Sequence, residues 1–182
     1  TWTTKAPYIG VPASCQVSFV IDGMAYVGGG MTNNSVIPSE FYKYNPSTNQ
    51  WAQIATCPKT ELFAASAFAI NGRGYVGMGL SIGTIENPHY VWEYNPISDE
   101  WLRVTDIPDN QCMWDEGVGF AINGKGYMGM GDVTCNHLPM GYYPYFWEYT
   151  PAASPLGVSE NQKKSIIDIF PTLSSGNFQI NI

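Results

Sequence analysis

A chain of 182 residues with 8 basic and 15 acidic side chains carries a formal charge of −7. That balance excludes the general electrostatic footprint of a nucleic-acid binder. Charged residues make up only 13% and aromatics 14%, which leaves room for a cation or an uncharged, hydroxyl-rich ligand and is common in proteins outside the cell. No run of 18 apolar residues occurs, so there is no membrane span, and no signal peptide is visible.

Residues 1–15 read as the tail of a preceding unit plus a connector punctuated by Pro7 and Pro12. The first unit starts near Gln16. Val17, Phe19 and Ile21 begin a strand that is apolar on both faces, which suits burial on both sides. Asp22-Gly23 is a type I′ hairpin signal, because both central positions need positive φ. A second strand runs from Met24 to Gly28, and Gly28-Gly29-Gly30 allows a bend or close backbone approach. After a polar loop at 31–40, Glu40 to Tyr44 forms a third strand. Asn45 to Asn49 turns the chain, and Trp51 to Ile54 forms a fourth.

The same frame returns twice. Ala65 to Ile70, Asn71-Gly72 and Gly74 to Gly79 repeat the inner pair, while Val91 to Tyr94 and Trp101 to Val104 repeat the outer pair. The third copy runs from Gly117 through Asn123-Gly124 to Gly131, with a third strand near Tyr145 to Tyr149. The tyrosines Tyr26, Tyr75 and Tyr127 are 49 and then 52 residues apart, and Trp2, Trp51 and Trp101 are 49 and then 50 apart. No tryptophan closes the third unit. Four antiparallel strands per unit with a period near 50 predict an all-β fold of about three propeller blades in an incomplete ring.

The units resemble kelch repeats. The double glycine of that pattern is Gly29-Gly30 in unit one and Met78-Gly79 and Met130-Gly131 in the next two. The paired tyrosine and tryptophan are Tyr44 and Trp51, then Tyr94 and Trp101, with Tyr149 alone in unit three. The resemblance covers residues 1–151 and implies fold, not activity. Three blades cannot close a ring. Either the chain belongs to a longer one, or two copies self-associate to complete the circle. Residues 152–162 read as a linker. Residues 163–182 carry two alternating strands around Phe170-Pro171-Thr172-Leu173-Ser174-Ser175-Gly176, and they resemble the start of a type IX secretion sorting domain of Bacteroidota. That resemblance implies a secreted or cell-surface location on the bacterial outer surface.

Blade topology puts the short hairpin turns on one face and the variable segments 31–40, 55–63, 80–90, 105–116 and 132–146 on the other. The second face is the expected site. Its candidate ligand-binding residues are Trp114, Asp115, Glu116, His137, Tyr142, Tyr143 and Tyr145, since rings beside carboxylates suit stacking on a sugar and accepting its hydroxyls. Blade packing is the competing role for each. Asp115 and Glu116 are adjacent, so as strand neighbours they point to opposite faces.

The four cysteines allow three complete pairings and fit no zinc motif. Cys112 with Cys135, both on the second face of unit three, is the first expected disulfide; Cys15 with Cys57 is less secure. No catalytic, metal or cofactor motif occurs, and nothing fixes the tyrosine and histidine copper ligands that the carbohydrate-oxidase class of kelch proteins needs. The expected function is a glycan- or protein-binding module, more a binder than an enzyme. The alternatives are a piece of a carbohydrate-active kelch enzyme, oxidase-like or mutarotase-like, and a scaffold without a small ligand.

Overall fold

The protein was analysed as a computed structural model that describes residues 1–59, 62–80, 90–108, 112–135, 141–142 and 144–151, with backbone alone at 112–114 and 133–135. The expected linker and the expected tail strands lie outside the described residues. Residues Thr1–Thr150 form one compact unit.

Blade one consists of β1 (Val17–Ile21), β2 (Met24–Gly28), β3 (Phe41–Asn45) and β4 (Gln50–Gln53) in the order β1-β2-β3-β4. Blade two repeats that order with β5 (Ser66–Ile70), β6 (Arg73–Gly77), β7 (Tyr90–Asn95) and β8 (Glu100–Asp106). Before blade three comes β9 (Cys112–Asp115). The blade itself holds β10 (Val118–Ile122), β11 (Lys125–Gly129) and, after β12 (Asp132–Cys135) and β13 (Gly141–Tyr142), the outer β14 (Phe146–Tyr149). Its sheet has three strands, β10-β11-β14, and β13-β12-β9 is a separate small sheet. Every pairing between strands is antiparallel.

The turn dipeptides behave as expected. Asp22, Asn71 and Asn123 have φ of 48°, 51° and 51°, and the glycine after each is also positive, the geometry of a type I′ turn. Register follows from these turns. Phe19 lies opposite Tyr26, Phe68 opposite Tyr75 and Phe120 opposite Tyr127. In each blade the two rings stack, with centroids 5.1, 5.0 and 5.4 Å apart.

Blades join through these rings. β5 packs against both β1 and β10. The Phe19 ring lies over Gly74 of blade two, and the Phe68 ring over Gly126 of blade three, so closely that a Cβ at either glycine would collide with it. Tyr26 meets Tyr94 at 5.5 Å and Tyr75 meets Tyr149 at 5.3 Å. Burial on both faces holds for β5, which has a neighbour on each side. In β1, by contrast, Ser18 and Val20 are exposed, and in β10 Val118, Phe120 and Ile122 are exposed. Among the described residues those faces meet no further blade, so apolar patterning alone does not bury them.

A second device latches each outgoing outer strand to the next blade. The Trp101 Nε1–H donates to the Ala55 carbonyl at 2.8 Å, and the Ala55 N–H donates to the Asp99 carboxylate at 3.0 Å. Asp99 also accepts from the Tyr94 hydroxyl at 2.7 Å. One period earlier, Trp51 donates to the Ala6 carbonyl at 3.1 Å and the Ala6 N–H donates to Asn49 at 2.9 Å. This latch is why the Tyr–turn–Trp frame recurs.

The Met for Gly exchange has a backbone consequence. Gly29, Met78 and Met130 share positive φ values of 63°, 60° and 59°, a region that L side chains enter at a cost of about 1 kcal/mol or more. Met78 is buried in the blade-two cluster, whereas Met130 is exposed. Met130→Gly is therefore expected to stabilise by up to about 1 kcal/mol, and Met78→Gly to destabilise by about 2 kcal/mol or more through lost packing. Urea unfolding of the two variants measures the difference in sign.

Candidate functional site

The second face of blade three departs from that of blade one. In blade one the incoming connector touches the segment after the glycine cluster through a single bridge, Ser14 with Met31; in blade two the bridge is Phe63 with Leu80. The equivalent pair in blade three is Asp115 with Asp132. Here pairing continues through Trp114 with Val133, Met113 with Thr134 and Cys112 with Cys135. β13 then adds a third strand, with Tyr142 opposite Asp132 and Gly141 opposite Val133. The expectation of one long loop over 132–146 is thereby corrected. Val133 and Thr134 are β-branched and extend the bridge into a ribbon.

The glycine that ends each cluster makes the crossing possible. A Cβ on Gly131 would lie 2.2 Å from the Asp115 carbonyl oxygen, and one on Gly30 would lie 2.5 Å from that of Ser14. Both glycines have positive φ, 95° and 84°. The second glycine thus admits the connector strand, while the first position tolerates Met.

Residues directly opposite one another share a sheet face. Asp115, Asp132 and Tyr142 therefore form one row across the ribbon. Asp115 and Asp132 are half-buried, and Tyr142 is 82% exposed. Burial pushes the Asp115 carboxyl up to about 6, reinforced by the charge of Asp132 and then of Glu116. Two carboxylates on facing strands repel, so holding a proton on one of them near neutral pH relieves the pair. The row combines a proton donor, a proton acceptor and an exposed aromatic ring.

The predicted residues are distributed unevenly. Asp115 and Tyr142 meet in this row, and Trp114 sits beside Asp115 on β9. Glu116 lies at a bend with φ of 54°, and its N–H donates to the Ala64 carbonyl at 3.0 Å. Ala64 donates in turn to the Cys15 carbonyl, so this position links successive blades. Tyr145 stands outside the row, its ring 6.2 Å from that of Trp147 and its carbonyl accepting from the Met130 N–H at 2.6 Å. His137 and Tyr143 lie outside the described residues. The carboxylate pair that the register brings together is Asp115 with Asp132, rather than Asp115 with Glu116. Asp132 was missed, although the bridge positions are 17 residues apart in every unit, a spacing readable from the repeat.

The Cys15–Cys57 pairing needs correction. Cys15, exposed, and Cys57, buried, are not bridged to each other. Cys112 and Cys135 are directly opposite in register, and their side chains lie outside the described residues. Among the described residues no cluster of three metal-ligating side chains occurs, and no helix is long and apolar enough to cross a membrane.

Residues 12–58 match the family described as the Kelch motif. The match takes in the whole of blade one. N-acetylneuraminate epimerases of Shigella sonnei (strain Ss046) and Escherichia coli (strain K12) are each 33% identical over 84 residues, which is 44% of this chain and 23% of theirs. The match therefore spans under a quarter of those relatives' length. The solved structure of YjhT superposes with a TM-score of 0.60 at 17% identity, over 79% of this chain and 55% of that one; at that identity the likeness speaks for the kelch propeller fold alone. The expectation of a binder rather than an enzyme is overturned by the relatives, whose names are those of carbohydrate-acting enzymes.

Proposed function

We propose that this kelch protein is a carbohydrate-acting enzyme that interconverts the anomers of a reducing sugar. The observation that carries the reading is the 33% identity over 84 residues to carbohydrate epimerases. The Asp115–Asp132 pair supplies residues suited to the chemistry. In ring opening, one carboxylate takes the proton of the anomeric hydroxyl. Its protonated neighbour gives a proton to the ring oxygen as the bond from the anomeric carbon to that oxygen breaks, and a carbonyl forms. Rotation about the adjacent carbon–carbon bond and the reverse transfers close the ring with the opposite anomer. The step is redox-neutral. Tyr142 offers an exposed ring on which the apolar face of a sugar stacks. The chain's charge of −7 and the paired carboxylates favour a neutral sugar over a sugar acid.

Anomer equilibration followed by NMR tests the reading, using neutral hexoses, N-acetylhexosamines and N-acetylneuraminate with the 182-residue protein. Acceleration of at least one neutral sugar is expected. Rates equal to the spontaneous ones across the whole panel would rule the activity out for this chain, and acceleration confined to the sugar acid would overturn the charge argument.

A further inference from the structure

Two hairpins of this chain share almost the same sequence in different surroundings. Phe68-Ala69-Ile70-Asn71-Gly72-Arg73-Gly74-Tyr75 returns as Phe120-Ala121-Ile122-Asn123-Gly124-Lys125-Gly126-Tyr127, and only Arg73 and Lys125 differ. Both stretches fold into the same turn. Asn71 and Asn123 each have a φ of 51°, and Gly72 and Gly124 each have one of 74°. Both asparagines are exposed, and a Cβ on either glycine would meet no atom within 4 Å. The ladder closes at Ile70 with Arg73 and at Ile122 with Lys125, so the central amides of both turns lie outside it.

An Asn-Gly dipeptide carries a reaction of its own. The glycine nitrogen attacks Cγ of the asparagine side chain. The new N–Cγ bond closes a succinimide ring, the Cγ–Nδ2 bond breaks, and ammonia leaves with the proton given up by the glycine amide. Water then opens the ring at either carbonyl and leaves aspartate or isoaspartate. The steps are redox-neutral and need no reagent besides water. Asparagine is thermolabile for this reason, and glycine offers the attacking nitrogen without a hindering side chain.

The turn itself opposes the ring closure. A type I′ turn sets ψ of the asparagine at about +30°, which points the glycine nitrogen away from Cγ. Attack requires rotation about that bond, and so a local opening of the hairpin. The observed rate is the intrinsic rate multiplied by the open fraction. The intrinsic rate comes from the local residues, which the two hairpins share. The surroundings therefore decide between them.

Those surroundings differ. β5 packs against β1 on one side and β10 on the other, whereas β10 meets one neighbouring blade among the described residues, through β5. Phe68 and Ile70 are 3% and 5% exposed, and their counterparts Phe120 and Ile122 are 41% and 53% exposed. Opening the hairpin of blade two breaks apolar contacts with two blades, and opening that of blade three with one.

We propose that Asn123 is a site of spontaneous deamidation in this chain, and that Asn71 is protected by the blades on either side of it. The aspartate product fits the turn, because Asp22 holds the same position in blade one with a φ of 48°. Isoaspartate routes the main chain through Cβ and lengthens the turn by one atom. It thereby disturbs the register that sets Phe120 opposite Tyr127.

The test is to age the 182-residue protein at mildly alkaline pH and map its tryptic peptides by mass spectrometry. Arg73 and Lys125 place the two asparagines in separate peptides. Asn123 is expected to convert on the order of tenfold faster than Asn71 in the folded chain, and the two at equal rates in urea. Arg73→Lys makes the two frames identical and is expected to keep the ranking. Asn123→Asp is expected to retain the far-UV circular dichroism of the parent. Equal rates in the folded chain, faster conversion at Asn71, or no conversion at Asn123 under conditions that convert the unfolded chain would each overturn the proposal. A ranking lost in Arg73→Lys would assign the protection to Arg73 instead of the neighbouring blades. An unfolded Asn123→Asp variant would show that the turn of blade three does not accept the product.

Discussion

Phe19→Ala is expected to cost about 3–5 kcal/mol, and the same change at Phe120 less than about 1 kcal/mol in the monomer. The two phenylalanines occupy the same position of the repeat and stack on the same tyrosine. They differ in what lies above them. Phe19 touches Tyr26, Phe41, Tyr94 and Trp101 and seats against Gly74. Its removal opens a cavity between two blades that the surrounding sheets cannot collapse to fill. Phe120 has its stacked Tyr127 and nearby Phe146, but nothing covers it. Against a total stability of about 5–15 kcal/mol, Phe19→Ala leaves a marginal fold. Urea unfolding in dilute solution isolates the comparison. Equal losses at the two sites would show that blade packing does not dominate the stability of this fold.

Asp115→Asn is expected to lower the proposed sugar activity about 10²–10⁴-fold while raising stability at neutral pH. The Asp115 carboxyl titrates near 6 in the folded chain, above its ordinary 3.8. Below about pH 4 both folded and unfolded forms hold the proton, and the group has no effect on stability. Between about pH 4 and 6 the unfolded chain releases it first, so stability falls as pH rises. Above about 6 the full penalty remains. Because the group is only half-buried, screening reduces that penalty to about 1 kcal/mol. Asparagine keeps the shape and removes the charge, so its melting temperature is expected to lose this pH slope. The rate profile of the parent is expected to carry a limb near pH 6 that the variant lacks. A stabilised variant with full activity would separate the acid pair from the chemistry and leave Asp115 as a repulsive contact only.

The glycine clusters, the Asn-Gly and Asp-Gly turns and the Tyr–Pro–Trp frame made the strands, the register and the blade order readable from the chain. Each is local: a turn type demands particular residues within two positions, and antiparallel register follows from the turn. That the blade-three sheet has three strands among the described residues was legible too, as a tryptophan absent from its period. The reading went astray where partners are distant. β1 and β10 are as apolar as β5, yet each has a face without a neighbouring blade. Segment 132–146 read as loop because its pairing partner, β9, lies before the blade and not beside it in sequence.

The site divides along the same line. Its face and two of its residues, Asp115 and Tyr142, follow from blade topology and residue type. Their assembly with Asp132 into one row does not, because it depends on cross-strand register between segments 17 residues apart and on a connector that pairs over four residues where the matching connector of blade one makes a single bridge. The sequence by itself determined the fold and the repeat count, because turn chemistry and hydrophobic spacing act over a few residues. Only the tertiary structure decided which carboxylates face each other and which phenylalanines are covered. Those are properties of strands and blades brought together from distant parts of the chain, and burial and charge repulsion come into being only once they meet.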